Sequence, residues 1–461
     1  MARFKHLTEW LAWLETLHPC EIDLGLKRVF SVACRLGIVQ QNSRTTFSGR
    51  AINHNGSQPH VVTIAGTNGK GSCVKTLESV ILAQHRSHCA SHSHLSDSVF
   101  VSAFTSPHIL HYNERIKLNG LPLCDTDICA LFTSIDQARG DTSLTYFEFA
   151  ALAALLAMHR SNSPIWVLEV GLGGRLDAVN LVDCSVAVIT SIGLDHQMWL
   201  GNTVEQIAKE KGGIMRTNTP VVFASQDMPK VLNDIAHSLN AKPYQQGADY
   251  VIQSNECGHH CITTEQSRFA FSQFGLPLES IAAAIMVCHI LRLSLDIINT
   301  QQALNHLSLE GRFEIIRHNN AVFILDVAHN VMATQRLAEN VLAYQRNMND
   351  VGEITAICGM MADKDSVNSL KSLTDVVSKW VCCDIPNNSR AESASILSQH
   401  LIEANVNSVN ITVQDSVTKA IELIIDQQYH NKHDPALVSI NLIFGSFFTV
   451  SAAKMALQGK K

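Results

Sequence analysis

The sequence predicts an α/β protein of two domains, and three observations carry the prediction. Apolar runs that end in Gly, Asp or Ser alternate with amphipathic helical segments from about Pro59 onward, the rhythm of a doubly wound sheet. That rhythm is interrupted by a β-rich stretch at 240–275 and starts again near Gly311. The 461 residues, 46% of them hydrophobic, are also more than one ordinary domain holds. The boundary is expected near residue 307, giving domains of 1–306 and 307–461, the first with the small β-rich subregion.

The N-terminal stretch MARFKHLTEWLAWLETL reads as an amphipathic helix, because Glu9 and Glu15 interrupt its apolar face. No apolar run is long enough to span a bilayer. A net charge of −6 gives no basic surface for nucleic acid or an anionic membrane. Thirteen cysteines without regular spacing, several in strand-like runs, are the usage of reduced thiols, so a cytoplasmic protein is expected. Cys257–Cys261 (CGHHC) is too compact for four ligands on one tetrahedral ion and reads as a loop. The histidine-rich segment 85–97 reads as a solvated surface insertion.

The strands of the first series are HVVTIAG, PIWVLEVGLGG, CSVAVITSIGLDH and PVVFAS, continuous apolar runs of buried parallel strands. In the helix after Thr203, Gln206 completes a capping box. The second series has NAVFILDVAHN, ITAICGM, KWVCCDI and VSINLIFGS. Ligands of such sheets sit at the carboxyl ends of the strands. The polar residues gather there: Glu169, Asp195 with His196, and Asp326 with His329 and Asn330.

Between the first strand and the following helix lies GTNGKGS, Gly66 to Ser72. Its glycines let backbone N–H groups converge on phosphate oxygens, the helix N-terminus adds partial positive charge, and Lys70 supplies a full one. The standard phosphate loop has its Ser or Thr directly after the Lys, whereas here Gly71 intervenes before Ser72. Glu169 and Asp195 are carboxylates of the kind that hold Mg²⁺. Taken alone, Lys211 in KEKGGI reads as a surface lysine. Arg312 in EGRFE, near the expected boundary, is a cation suited to triphosphate charge. Together these residues favour phosphoryl transfer.

At this point the chain resembles the Mur ligase superfamily, and within it the folate branch. The motifs are IDLGL followed one residue on by RV (Ile22 to Val29), AGTNGKGS at Ala65, TSPHILHYNERI at Thr105, LTYFEF at Leu144, LEVGLGGRLDAVN at Leu168, TSIGLDHQMWLGNT at Thr190, EKGGI at Glu210, GRFE at Gly311 and DVAHN at Asp326. The resemblance implies a P-loop ATPase-like first domain of the Mur ligase central type and a Rossmann-like second domain. It implies an ATP-dependent ligase that activates a carboxylate as an acyl phosphate and joins it to L-glutamate. The carboxylate would be that of 7,8-dihydropteroate or of a reduced folate.

The resemblance also implies residue roles. Gly69, Lys70, Gly71 and Ser72 contact ATP phosphates; Ser280, Arg312 and Asp326 contact ATP. Ser106 and Glu169 hold a first Mg²⁺. Glu169, His196 and a carbamylated Lys211 hold a second, with a monovalent cation as a further expected ion. Lys70, His196, Lys211 and His329 serve the chemistry. Asp23, Leu24, Gly25, Thr145, Tyr146, Phe147, Glu148, Leu176, Asp177 and Ala178 bind dihydropteroate. A monomer is expected, since the cleft would be complete within one chain, with small-molecule substrates only. Three residues depart from the family pattern: Ser280 stands where Asn is usual, Val331 follows Asn330 in place of Pro, and Phe448 stands where folate relatives carry His.

Overall fold

The computed structural model describes all residues except 1, 42–46, 90–98, 256–257, 274, 319–320, 349–350, 431–437 and 459–461. The chain forms two compact units. One comprises residues 1–253, 260–271 and 277–307, the other 254–259, 272–276 and 308–461.

The first unit is built on an eight-stranded sheet. Across it the strands run Pro243–Gln245, Val221–Phe223, Val186–Ile189, His60–Ala65, Ile165–Glu169, Ser102–Phe104, Ile116–Leu118 and Leu121–Pro122. The first six run parallel, and the last two pairings are antiparallel. His60–Ala65, the first of these strands in the chain, lies in the middle, with later strands added on both sides. The chain therefore reverses direction across the sheet beside this strand, which is where doubly wound sheets open a crevice for ligands. All four strands read from the sequence of this domain are present.

The largest core of this unit lies on one face of the sheet. The helix Tyr146–Arg160 is buried almost throughout, which explains its run of Ala and Leu in place of an amphipathic pattern. Trp10 of the N-terminal helix Leu7–Leu17 packs edge-on to Phe132 at 5.7 Å, and Phe132 to Phe149 at 5.2 Å. The amphipathic reading of residues 7–17 thus holds, with Leu7, Trp10 and Leu14 inward.

The second unit has a six-stranded sheet in the order Glu314–His318, Ala321–Leu325, Val438–Phe444, Val351–Cys358, Lys379–Cys383 and Ile411–Gln414. Only the first pair is antiparallel. Val438–Phe444, last in sequence, inserts between the second and third strands, so the loops after Leu325 and Phe444 emerge side by side. The Asp326 N–H donates to Ile443 O at 2.9 Å across this seam.

One expectation needs correction. His259, His260 and Cys261 belong to a strand, His259–Thr264, and not to a loop. His259 Nδ1 lies 2.7 Å from Ser272 Oγ, and Cys261 Sγ accepts from Arg268 Nε at 3.0 Å. These contacts are structural; Cys257 lies outside the described residues. The histidine-rich segment also begins within regular structure, because the helix that opens at Lys70 runs to Cys89 and includes His85 and His88. Most of that insertion lies outside the described residues. Among the described residues no helix is long and apolar enough to cross a membrane.

Candidate active site

The glycine-rich loop joins His60–Ala65 to the helix Lys70–Cys89. A side chain at Gly66 would strike Thr190 Oγ1, and one at Gly69 would strike Ser280 Oγ. Gly69 also has φ +86°, a left-handed conformation that glycine adopts without strain. Ser280, buried in the helix Leu278–Ile290, therefore stands against the loop, as expected for a residue of the same site. Ser72 is buried in the first turn of the helix, and its hydroxyl has no hydrogen-bond partner among the described residues. Buried hydroxyls are normally satisfied, so this orphan suits an external oxygen or metal ligand.

Both lysines meet on one carbonyl. Lys70 Nζ donates to Gly66 O at 2.8 Å and Thr67 O at 3.3 Å, and Lys211 Nζ donates to the same Gly66 O at 3.1 Å. Lys211 is buried on the helix Val204–Gly212, so the surface reading of this residue is overturned. Burial, and after it the charge of Lys70, push its amine down to about 7 against the opposing pull of Asp195 and Asp177. The structural reason is the turn of the helix: its Thr203–Gln206 capping box holds, and Gly174 and Gly213 let it approach closely. A side chain at Gly174 would lie 2.9 Å from Glu210 O, and one at Gly213 would overlap Arg175.

Glu169 ends its strand buried, and its Oε2 accepts from the Ser106 N–H at 3.1 Å. The Ser106–Pro107 bond is cis. Ser106 and Glu169 are thus brought together. His196 lies on the loop after Val186–Ile189, with φ +50° and an exposed ring, and its Nε2 is 3.9 Å from Asp195 Oδ2. Among the described residues no three His, Cys, Asp or Glu side chains are arranged around a metal position. The expected ligand set has only Glu169 and His196 of these types; its other members are a serine hydroxyl and a modified lysine.

The predicted dihydropteroate residues divide into three groups. Thr145 and Glu148 form a capping box at the start of Tyr146–Arg160: Thr145 Oγ1 accepts from Glu148 N at 3.1 Å, and Glu148 Oε2 from Thr145 N at 2.8 Å. Between them, Phe147 lies where any side chain at Gly171 would collide with its ring, and Tyr146 lies 5.5 Å beneath the Arg115 guanidinium. Asp177, next to half-buried Leu176 and buried Ala178, receives Val179 N at 3.0 Å and Leu172 N at 2.9 Å; burial raises its carboxyl to about 6. Asp23, Leu24 and Gly25 lie in the irregular segment before the helix Lys27–Arg35, with Asp23 bonded to Arg28.

In the second unit Asp326 is buried, with Oδ2 accepting from Phe313 N and Oδ1 from Ala328 N, both at 2.8 Å. Burial raises its carboxyl while Arg312 works against that shift. Asp326 thereby ties the turn that carries Arg312 to the strand end. Arg312 lies over the Phe447 ring at 5.2 Å. His329 Nδ1 is 2.7 Å from Val327 O; a carbonyl only accepts, so Nδ1 carries the proton. Asn330 caps the helix Val331–Arg346, so the proline usual at 331 is not needed to start it. Phe448 is exposed.

Sequence reasoning missed the residues that hold the phosphate loop from behind. Thr190 Oγ1 donates to Asn68 O at 2.6 Å, and Ser191 Oγ accepts from Asn68 N at 2.9 Å. Thr67 Oγ1 accepts from Gly193 N at 3.0 Å. The signal was their position in TSIGLDH at the end of the neighbouring strand. Thr190→Val should cost about 1 kcal/mol, because it removes the 2.6 Å hydrogen bond to the half-buried Asn68 carbonyl, which keeps Ser191 Oγ as a donor at 3.0 Å. Thermal unfolding together with nucleotide affinity checks this, and both should fall.

Residues 311–440 match the profile described as "Mur ligase, glutamate ligase domain". A dihydrofolate synthase/folylpolyglutamate synthase of Escherichia coli (strain K12) is 34% identical over 458 residues, 99% of this chain and 96% of that protein. The protein of the same name from Haemophilus influenzae is 32% identical, covering 96% of each. Among solved structures, E. coli FolC in complex with DHPP and ADP has a TM-score of 0.83 at 31% identity, covering 99% of this chain and 98% of that one. A bifunctional folylpolyglutamate synthase/dihydrofolate synthase with Mn, AMPPNP and L-glutamate bound has a TM-score of 0.82 at 33% identity, covering 99% of both.

Proposed function

We infer the reaction from one premise: this chain belongs to the dihydrofolate synthase/folylpolyglutamate synthase family. It is an ATP-dependent carboxylate–amine ligase. It adds L-glutamate to 7,8-dihydropteroate, forming dihydrofolate, and to reduced folates, forming folylpolyglutamates, with release of ADP and phosphate. The observation that carries this reading is the pair Lys70 and Lys211 on the Gly66 carbonyl, beside the orphan hydroxyl of Ser72.

A carboxylate is a poor acyl donor until one of its oxygens becomes a leaving group. Phosphorylation by ATP supplies that group, and the glutamate amine then displaces phosphate. The chain's part is to position reactants and stabilise charge. Gly69, Gly71 and the helix N-terminus direct N–H groups at phosphate oxygens, while Lys70 neutralises them. Ser280, Arg312 and Asp326 are proposed as further ATP contacts, and His329, with its proton fixed on Nδ1, as an assistant to phosphoryl transfer.

A divalent ion fits the donor set. Ser106 and Glu169 would hold one ion; Glu169, His196 and a carbamylated Lys211 would hold a second. The bound ions supply positive charge to the phosphate oxygens. A lysine amine lowered to about 7 is largely neutral just above neutrality, the form that adds CO₂ to become a carbamate. A monovalent cation, a monomeric state and a cytoplasmic location complete the reading.

Mass spectrometry of the products tests the reaction. With MgATP, L-glutamate and 7,8-dihydropteroate, the expected product is dihydropteroate plus one glutamyl residue. With tetrahydrofolate, longer glutamyl chains are expected. Recovery of both acceptors unchanged under conditions where nucleotide binds would refute the ligase reading.

A further inference from the structure

Arg28 lies in the motif that begins at Ile22 but is given no role by the resemblance, yet it is the side chain that ties two parts of the dihydropteroate region together. The proposal rests on the ligase reading above. Arg28 Nη1 donates to Asp23 Oδ2 at 2.5 Å, and Nη2 donates both to Asp23 O at 2.9 Å and to Glu148 Oε1 at 3.0 Å. The fork therefore grips the Asp23 side chain, its backbone and a carboxylate 120 positions further along the chain.

The contacts are unequal in kind. Glu148 is already fixed: its side chain is 4% exposed and Oε2 is engaged in the capping box. Asp23 is 40% exposed and lies in 18–26, a segment with no sheet ladder or helix to hold it. His18 also lies beside it, with Nε2 3.5 Å from Asp23 Oδ2. A side chain at Gly25 would meet nothing within 4 Å, so packing does not confine the loop there. Rigidity passes from Glu148 on a buried helix, through the planar guanidinium, to Asp23 on an irregular loop. A lysine could not make this three-point contact, since it offers a point charge in place of a fork.

We propose that Arg28 is the positioning residue of the pteroate site: it holds the Asp23–Gly25 loop against the start of the Tyr146 helix, so that Asp23 meets the acceptor in one orientation. Misplacement of a binding group by about 1 Å is enough to lower turnover efficiency by roughly 10²-fold. The proposal thus predicts a defect confined to the acceptor.

The test compares wild type, Arg28→Ala, Arg28→Lys, Asp23→Asn and the double variant Asp23→Asn/Arg28→Ala. In Arg28→Ala the KM for dihydropteroate should rise on the order of 10- to 100-fold with the KM for ATP unchanged. Free guanidinium should recover part of the loss. Arg28→Lys should remain impaired, and Arg28→Ala should add little in the Asp23→Asn background. Amide exchange reads the same clamp without turnover: residues 18–26 should exchange faster in Arg28→Ala while the helix Lys70–Cys89 keeps its protection. An unchanged KM with unchanged exchange over 18–26 overturns the proposal. So does an equal rise in both KM values, which would mark a general structural role. If wild type shows no dihydropteroate-dependent turnover, the ligase reading fails, and the exchange measurement still decides the clamp.

Discussion

Lys70→Ala is expected to lower ATP turnover by roughly 10³-fold, about 4 kcal/mol of transition-state stabilisation. The loop at Gly66 shapes its cradle from backbone, which the substitution leaves intact. The full positive charge on that loop is the Nζ of Lys70, 2.8 Å from Gly66 O. Removing it should therefore spare folding and part of the nucleotide affinity while removing phosphoryl transfer. The substitution also removes the charge that lowers Lys211, so the Lys211 amine should titrate higher in this variant. Steady-state phosphate release with an unfolding control measures the effect. Near-normal turnover would mean that the loop does not serve the reacting phosphate.

The second large effect is expected at Lys211. Lys211→Ala should lose activity by about 10²-fold or more, as removal of one buried charged group at a reacting centre does. Short carboxylic acids such as acetate should restore part of it by standing where the carbamate oxygens would be. The pH dependence follows from the amine. Below about 7 the ammonium form dominates and cannot add CO₂, so activity in bicarbonate-free buffer should fall as pH drops through that value. Added bicarbonate should help most above it. A fully active Lys211→Ala, or a loss that no carboxylic acid relieves, would remove the carbamate from the account.

Much of the first unit was legible because parallel strands advertise themselves. HVVTIAG and PIWVLEVGLGG are apolar without alternation, and each ends at the carboxyl edge where chemistry collects. The Thr203 capping box was legible because its two partners are three residues apart. Lys211 was not legible from its own helix: KEKGGI looks solvated, and the group that explains its burial, Gly66 O, is 145 positions away. The same distance problem hid Arg28 and Thr190, whose partners Glu148 and Asn68 are 120 and 122 positions away. Only the motif set as a whole pointed to Lys211, and the motif that contains Arg28 gave it no role. His259–Cys261 was misread for a different reason. Spacing argued against a metal but said nothing of β structure, and the strand is set by pairing with its neighbours. The residues that depart from the family pattern, Ser280, Val331 and Phe448, sit at a buried loop contact, a helix start and an exposed position respectively.

The central claim is that this chain couples ATP cleavage to joining L-glutamate with a pteroate or folate carboxylate. Phosphate release from MgATP with L-glutamate, with and without 7,8-dihydropteroate and then with tetrahydrofolate, tests it most directly. The account predicts release that requires glutamate together with either acceptor. Nucleotide binding with no acceptor-dependent release would contradict it, and would leave the Gly66 loop as the nucleotide site of a protein that does not ligate.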